Sequence, residues 1–299
     1  MAGEAVRDVL VAAARDLSAA GIDTARLDAR VLFAHVLGLG PEELLGIDRV
    51  DSIQIERFRS LVARRAAREP LAYITGCKEF YSIEFDVGPG VLVPRPETET
   101  LIDEALRRFP DRNASLRVVD VGTGSGCLIV AFLLRFPKSV GLAVDVSPEA
   151  LNWARRNLAR HDLERRCATE LGEWNADTQF DVILANPPYL TEDEYGRTAP
   201  EVSHYEPRVA LVAGCDGLAA YRALMPKIGL GLKEGGLAII EIGAGQMSEV
   251  EKIVAANGLR LHGFAGDLSG IARCVIAGRS RWRQVRDGKK AVGKELATR

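Results

Sequence analysis

The apolar positions change their period along the chain. Val6, Leu10, Ala13 and Leu17 recur at three- and four-residue steps, which predicts an amphipathic helix ended by Gly21-Ile22-Asp23. Ala25, Leu27, Ala29, Val31, Leu32, Phe33, Val36 and Leu37 predict a second helix, closed by Gly38 and Gly40. Pro41 reads as the start of another, with Glu42 and Glu43 in its first turn. A further helix is expected from about Ser52 to Arg68 on Ile53, Ile55, Phe58, Leu61 and Val62. Its arginines, among them Arg57, Arg64 and Arg65, suit either a solvated face or a docking surface for an acidic or RNA-bound partner.

No strand pattern precedes residue 78. Lys78 to Val87 then alternates, Gly88-Pro89-Gly90 turns the chain, and Val91-Leu92-Val93 follows, which reads as a β-hairpin. Pro94 to Glu99 opens a helix running to about Phe109. Strands are expected at 116–121, 139–145, 167–171, 180–185, 236–242, 259–264 and 272–277. Helices are expected at 125–135, 147–160, 217–232 and 246–256. This alternation predicts an α/β fold, a mostly parallel sheet with helices on both faces. The expected organisation is a helical domain over 1–75, a hairpin joint over 76–93, an α/β domain over 94–278 and a polar, disordered tail over 279–299. The tail holds eight Lys or Arg and Trp282, so nucleic-acid contact is its second reading.

Formal net charge is −2, so no global basic field marks a partner bound through many phosphates. The five cysteines are scattered without a C-x-x-C spacing, which suggests neither a metal site nor a disulfide framework and fits a reducing compartment. Met1 to Arg15 carries early acids and lacks an apolar core, so it does not read as a secretory signal. No run approaches the roughly 20 apolar residues of a membrane span. A cytoplasmic monomer, contacting neither membrane nor nucleic acid directly and holding no metal, is the expectation.

Two stretches carry candidate chemistry. Phe180 to Ala185 reads as a buried strand that ends in Asn186-Pro187-Pro188-Tyr189. The prolines fix two successive φ angles and stiffen the loop. Asn186 adds an amide, the loop adds backbone carbonyls and Tyr189 adds a flat ring, a set suited to gripping a planar NH2 group. A proline-rich turn with a capping Asn is the plainer alternative. Upstream, Val118 to Val121 runs into Gly122-Thr123-Gly124-Ser125-Gly126, a glycine turn entering a helix whose N-terminus attracts anions. Asp145 ends the next strand, where a carboxylate can accept from both ribose hydroxyls. Trp174 follows the third strand and either lies against an adenine or packs in the core. No Gly-Lys-Ser/Thr phosphate loop is present.

The D-x-G-x-G-x-G loop, Asp145 and Asn-Pro-Pro-Tyr together resemble a class I S-adenosylmethionine-dependent methyltransferase. Four further segments narrow the resemblance to the bacterial release factor glutamine methyltransferases (the HemK or PrmC family). They are Pro70 to Gly76, Val91 to Glu99, Tyr205 to Leu211 and Glu241 to Gln246. The resemblance implies a Rossmann-like seven-stranded sheet behind a small helical substrate-docking domain. It implies methyl transfer from S-adenosylmethionine to the glutamine amide nitrogen in the Gly-Gly-Gln motif of class I peptide release factors. Gly122 to Gly126, Asp145, Trp174 and Asn186 would contact the cofactor. Asn186, Pro187, Pro188 and Tyr189 would hold the glutamine, with Arg95, Glu97 and Thr98 at the mouth. His204 is a possible base, though a surface or capping role suits it better. The rivals are a glutamine methyltransferase of a ribosomal protein, a DNA amino-methyltransferase and a non-catalytic module of the same fold.

Overall fold

The computed structural model describes residues 4–40, 42–267 and 270–279. Pro41 and the tail beyond Arg279, with Trp282, lie outside these. The chain begins with a two-residue strand β1 (Glu4–Ala5), then α1 (Val6–Ala19) and α2 (Ala25–Leu37). A second short strand, β2 (Arg49–Val50), pairs antiparallel with β1, so this region is not purely helical as expected. Two-residue strands carry too little periodicity to be read. Next come α3 (Ser52–Ala66) and the single turn α4 (Leu71–Thr75). Asp51 caps α3, accepting from Gln54 N while Gln54 Oε1 accepts from Asp51 N. The apolar stripes of these helices meet in one core around Leu17, Leu32, Phe33, Phe58 and Val62.

The hairpin consists of β3 (Cys77–Phe80) and β4 (Ile83–Asp86). Its turn is Tyr81-Ser82, both with positive φ (55° and 58°), and not Gly88-Pro89-Gly90. Such a turn is ordinarily announced by Asn-Gly or Asp-Gly, and this one carries neither. Tyr81 is held from outside, its N–H donating to Glu99 and its hydroxyl to Asp103. Val91 to Val93 forms no strand. After a 3-10 turn over Pro96–Thr98 come α5 (Glu99–Arg108), β5 (Arg117–Val121), α6 (Cys127–Arg135), β6 (Val140–Asp145), α7 (Pro148–Arg160), β7 (Cys167–Leu171) and β8 (Phe180–Ala185). The short helices α8 (Glu192–Tyr195) and α9 (Pro200–Tyr205) lead to α10 (Ala219–Gly231), β9 (Leu232–Glu241), α11 (Met247–Ala256), β10 (Arg260–Gly266) and β11 (Ala272–Gly278).

The seven strands stand in the order β10-β11-β9-β8-β5-β6-β7. All pairings are parallel except the two made by β11. This is the mostly parallel seven-stranded sheet that the sequence resemblance implies. One face packs on α5, α6 and the hairpin around Phe85, Ile129 and Phe132; the other packs on α10 and α11 around Tyr221, Met225 and Ile228. Strand order reverses between β5 and β8, and ligands of open α/β sheets bind beyond the carboxyl ends of strands at such a point. The helical unit is joined to this sheet through α9. Glu201 takes Arg65 at 2.9 Å and Arg68 at 2.7 Å, and the Tyr205 hydroxyl donates to Ala67 O. No helix among the described residues is long and apolar enough to cross a membrane.

Candidate active site

A cleft of about 310 Å³ opens at the switch point, within the roughly 300–1,000 Å³ common for ligand sites. Its floor is the glycine turn. Gly122, Gly124 and Gly126 all have positive φ (74°, 56° and 80°), a region that a side chain strains. At Gly126 a Cβ would also come within 3.3 Å of the Ala154 backbone, so the third glycine lets α6 approach α7. The turn is pinned from two sides. Gly122 N and Thr123 N both donate to Val144 O at 2.9 Å. The Thr123 hydroxyl donates to Asp120 Oδ2 at 2.7 Å.

Asp120 is fully buried, and burial pushes its carboxyl up to about 7. A carboxyl raised in the folded state stabilises the fold most below its unfolded value near 3.8. That contribution is lost as pH rises through about 7, because the unfolded chain ionises first. Asp120→Asn removes this titration and keeps an acceptor for Thr123. Its melting temperature is expected to gain on the wild type between about pH 4 and pH 7. A constant difference across that window in calorimetry would refute the account.

Asp145 closes the next strand. Its Oδ2 accepts from Gly124 N and its Oδ1 from Ser147 N, both at 2.9 Å. The carboxylate is therefore fixed with lone pairs left over for other donors. Trp174 borders the cleft but is 3% exposed; its ring packs edge-on to Phe180 and over Gly231, so its anchoring is that of a core residue.

At the end of β8, Asn186, Pro187 and Pro188 line the cleft. Asn186 Nδ2 donates to Thr98 Oγ1 at 3.1 Å, and the Thr98 hydroxyl donates to Glu241 Oε2 at 2.6 Å. Arg95 and Thr98 also line the cleft, and Arg95 pairs with the buried Glu206 at 2.5 Å. Tyr189 and Glu97 do not line it. The Tyr189 hydroxyl is taken up by Glu241 at 3.4 Å, and its backbone carbonyl accepts from Gln246 Nε2 at 2.9 Å. His204 is exposed on the last turn of α9, away from the cleft. Glu241 was not singled out as a site residue from sequence. It stands in a β-strand far along the chain, and the only signal was its place in the Glu241 to Gln246 segment.

The chain as a whole is similar to known proteins. Residues 8–76 match the model of the PrmC N-terminal domain, and residues 99–202 match the methyltransferase small domain. The release factor glutamine methyltransferase of Cereibacter sphaeroides is 41% identical over 275 residues, covering 90% of this chain and 97% of that protein. The chain belongs to this family. A second member, from Caulobacter vibrioides, is 40% identical over 270 residues, 88% of this chain and 93% of its own. The chain is thus a methyltransferase with family identity along most of its length. A solved structure of a release factor-specific protein-(glutamine-N5) methyltransferase from Alicyclobacillus acidocaldarius is 30% identical. It covers 64% of this chain and 98% of its own, with a TM-score of 0.39.

Proposed function

We propose that this protein transfers a methyl group from S-adenosylmethionine to the side-chain amide nitrogen of the glutamine in the Gly-Gly-Gln motif of class I release factors. The observation that carries the reading is the Asn186 amide at the end of β8. One hydrogen of its NH2 goes to Thr98, and no described residue donates to its Oδ1, which is left to accept from a substrate NH2. The family relatives named for this reaction support the choice of substrate.

The cleft fits the cofactor by its donor and acceptor set. Asp145, held by two backbone N–H groups, would accept from the ribose hydroxyls, and the glycine turn lets a ligand lie on the backbone. Bound there, S-adenosylmethionine would supply a methyl group already activated on a sulfonium. A glutamine amide nitrogen is a poor nucleophile, because its lone pair is delocalised into the carbonyl. Asn186 Oδ1 and the Pro187 carbonyl would accept its two hydrogens, fix its direction toward the methyl and spread the positive charge that develops on it. Orientation of this kind supplies roughly 7–11 kcal/mol of a barrier in favourable cases. In place of stacking on the amide, Tyr189 would brace Glu241. We also assign residues 1–75 the docking of the protein substrate, since glutamine alone does not specify a release factor.

Mass spectrometry of a class I release factor incubated with the protein and S-adenosylmethionine tests the reading. One added methyl on the Gly-Gly-Gln glutamine is expected. No methyl there, with methylation of a ribosomal protein or of DNA under the same conditions, would overturn it.

A further inference from the structure

Glu241 lies at the last position of β9, one residue beyond the register pair Ala185–Ile240 that joins β9 to β8. It is therefore beside Asn186 in the sheet, yet it does not line the cleft. Its side chain is 1% exposed and makes two hydrogen bonds, to the Thr98 hydroxyl and to the Tyr189 hydroxyl. Thr98, itself 2% exposed, reaches the same point from the 3-10 turn before α5, 143 residues away in sequence. A buried carboxylate is costly, and two neutral hydroxyls compensate it only in part.

A hydroxyl has one hydrogen and can accept with its oxygen. While Glu241 is a carboxylate it can only accept, so it takes the Thr98 hydrogen. Thr98 Oγ1 is then left only as an acceptor, and the one group of Asn186 that can satisfy it is the NH2. Among the described residues no hydrogen bond is made to Asn186 Oδ1, which is left for the cleft. We propose, resting on the reading above, that Glu241 is a positioning residue: through Thr98 it selects the amide rotamer of Asn186 that presents Oδ1 to the substrate NH2. A protonated Glu241 would reverse the relay. The carboxyl would donate to Thr98, Thr98 would donate to Asn186 Oδ1, and the amide would turn its NH2 toward the substrate NH2, donor against donor.

Burial pushes the Glu241 carboxyl up to about 7, so this reversal falls in an accessible pH range. The groups facing Glu241 are Arg273 on β11, Tyr189 in the loop after β8, and Glu97 before α5. Cys127 on α6, Cys274 on β11 and Tyr221 on α10 also feel its charge. Arg273 lowers the carboxyl and is itself paired with Asp267, and Glu97 raises it.

The test combines Glu241→Met, Thr98→Val and Thr98→Ser with the double variant Glu241→Met/Thr98→Val, all in the full chain. Methylation of a release factor is expected to rise in the wild type as pH passes through the Glu241 ionisation. In Glu241→Met and Thr98→Val, kcat is expected to fall by roughly 10–10²-fold, as for a misplaced reacting group. Cofactor Kd should hold, and the acid limb should vanish. Thr98→Ser, which keeps the hydroxyl, should recover most of the rate lost in Thr98→Val together with the limb, and the double variant should lose no more than either single one. A retained acid limb in Glu241→Met, or additive losses in the double variant, would overturn the proposal. If Glu241→Met fails to fold, the two Thr98 variants decide by themselves. The side-chain 15N–1H2 signal of Asn186, assigned with Asn186→Ala, reads the relay without any substrate. It should shift with pH in the wild type and in Thr98→Ser but not in Thr98→Val. A wild type that leaves release factors unmethylated while showing that titration would sink the substrate reading and keep the relay. A signal insensitive to pH would sink the relay alone.

Discussion

Asn186→Ala is expected to lower methyl transfer by roughly 10²–10³-fold, the usual loss when a fixed group that stabilises developing charge is removed. The effect should fall on kcat. Asn186 is joined to the fold by one side-chain hydrogen bond, to Thr98, and is only partly buried, so the melting temperature should stay near that of the wild type. Cofactor binding should persist, because the glycine turn and Asp145 are anchored to each other without Asn186. Single-turnover methylation, calorimetric melting and cofactor titration separate the three quantities. Near-normal turnover in the folded variant would defeat the amide-gripping account. A loss matched by an equal loss of cofactor affinity would move Asn186 from substrate to cofactor.

Asp145→Ala is expected to abolish useful cofactor binding. Two hydrogen bonds from ribose hydroxyls to a charged acceptor are worth about 1.5–3 kcal/mol each. Their loss corresponds to roughly 10²–10⁴-fold in Kd. A second contribution acts in the same direction. The carboxylate also ties down Gly124 N and Ser147 N, so the turn and the start of α7 lose a common anchor. Asp145→Asn keeps one acceptor oxygen and should fall between the wild type and the alanine variant. Isothermal titration with S-adenosylmethionine measures this directly. An unchanged Kd in Asp145→Ala would remove the residue from the cofactor site.

The two stretches that build the cleft were legible because each is a demand on local backbone. Gly122 to Gly126 are read as a turn since three positions adopt positive φ, and only glycine does so without strain. Asn186-Pro187-Pro188 is read as a stiff strand end, because proline declares its own φ. The alternation of strand and helix from 115 to 277 follows from buried apolar runs, and α10 even carries Pro226 within it without losing the pattern. Where a local signal was weak the reading missed. The Tyr81-Ser82 turn is held by Glu99 and Asp103 on a later helix, so neither turn residue announces it.

By itself, then, the chain determined its periodicities, its glycine and proline punctuation and the residues at its strand ends. From these followed the α/β class, the order of the strands and main helices from β5 to β11, and the two candidate loops. Tertiary structure alone decided what those loops are braced by. Thr98 and Glu241 have no shared motif, and they meet Asn186 only because β9 lies beside β8 and the turn before α5 closes over both. Likewise Arg65 near the end of α3 and Arg68 just beyond it, which look like part of a solvated basic face, both pair with Glu201 on α9. The reason is physical. Backbone preferences act between neighbours in sequence, whereas a hydrogen-bond relay is set by neighbours in space, and nothing in a single residue's type encodes who its partner will be.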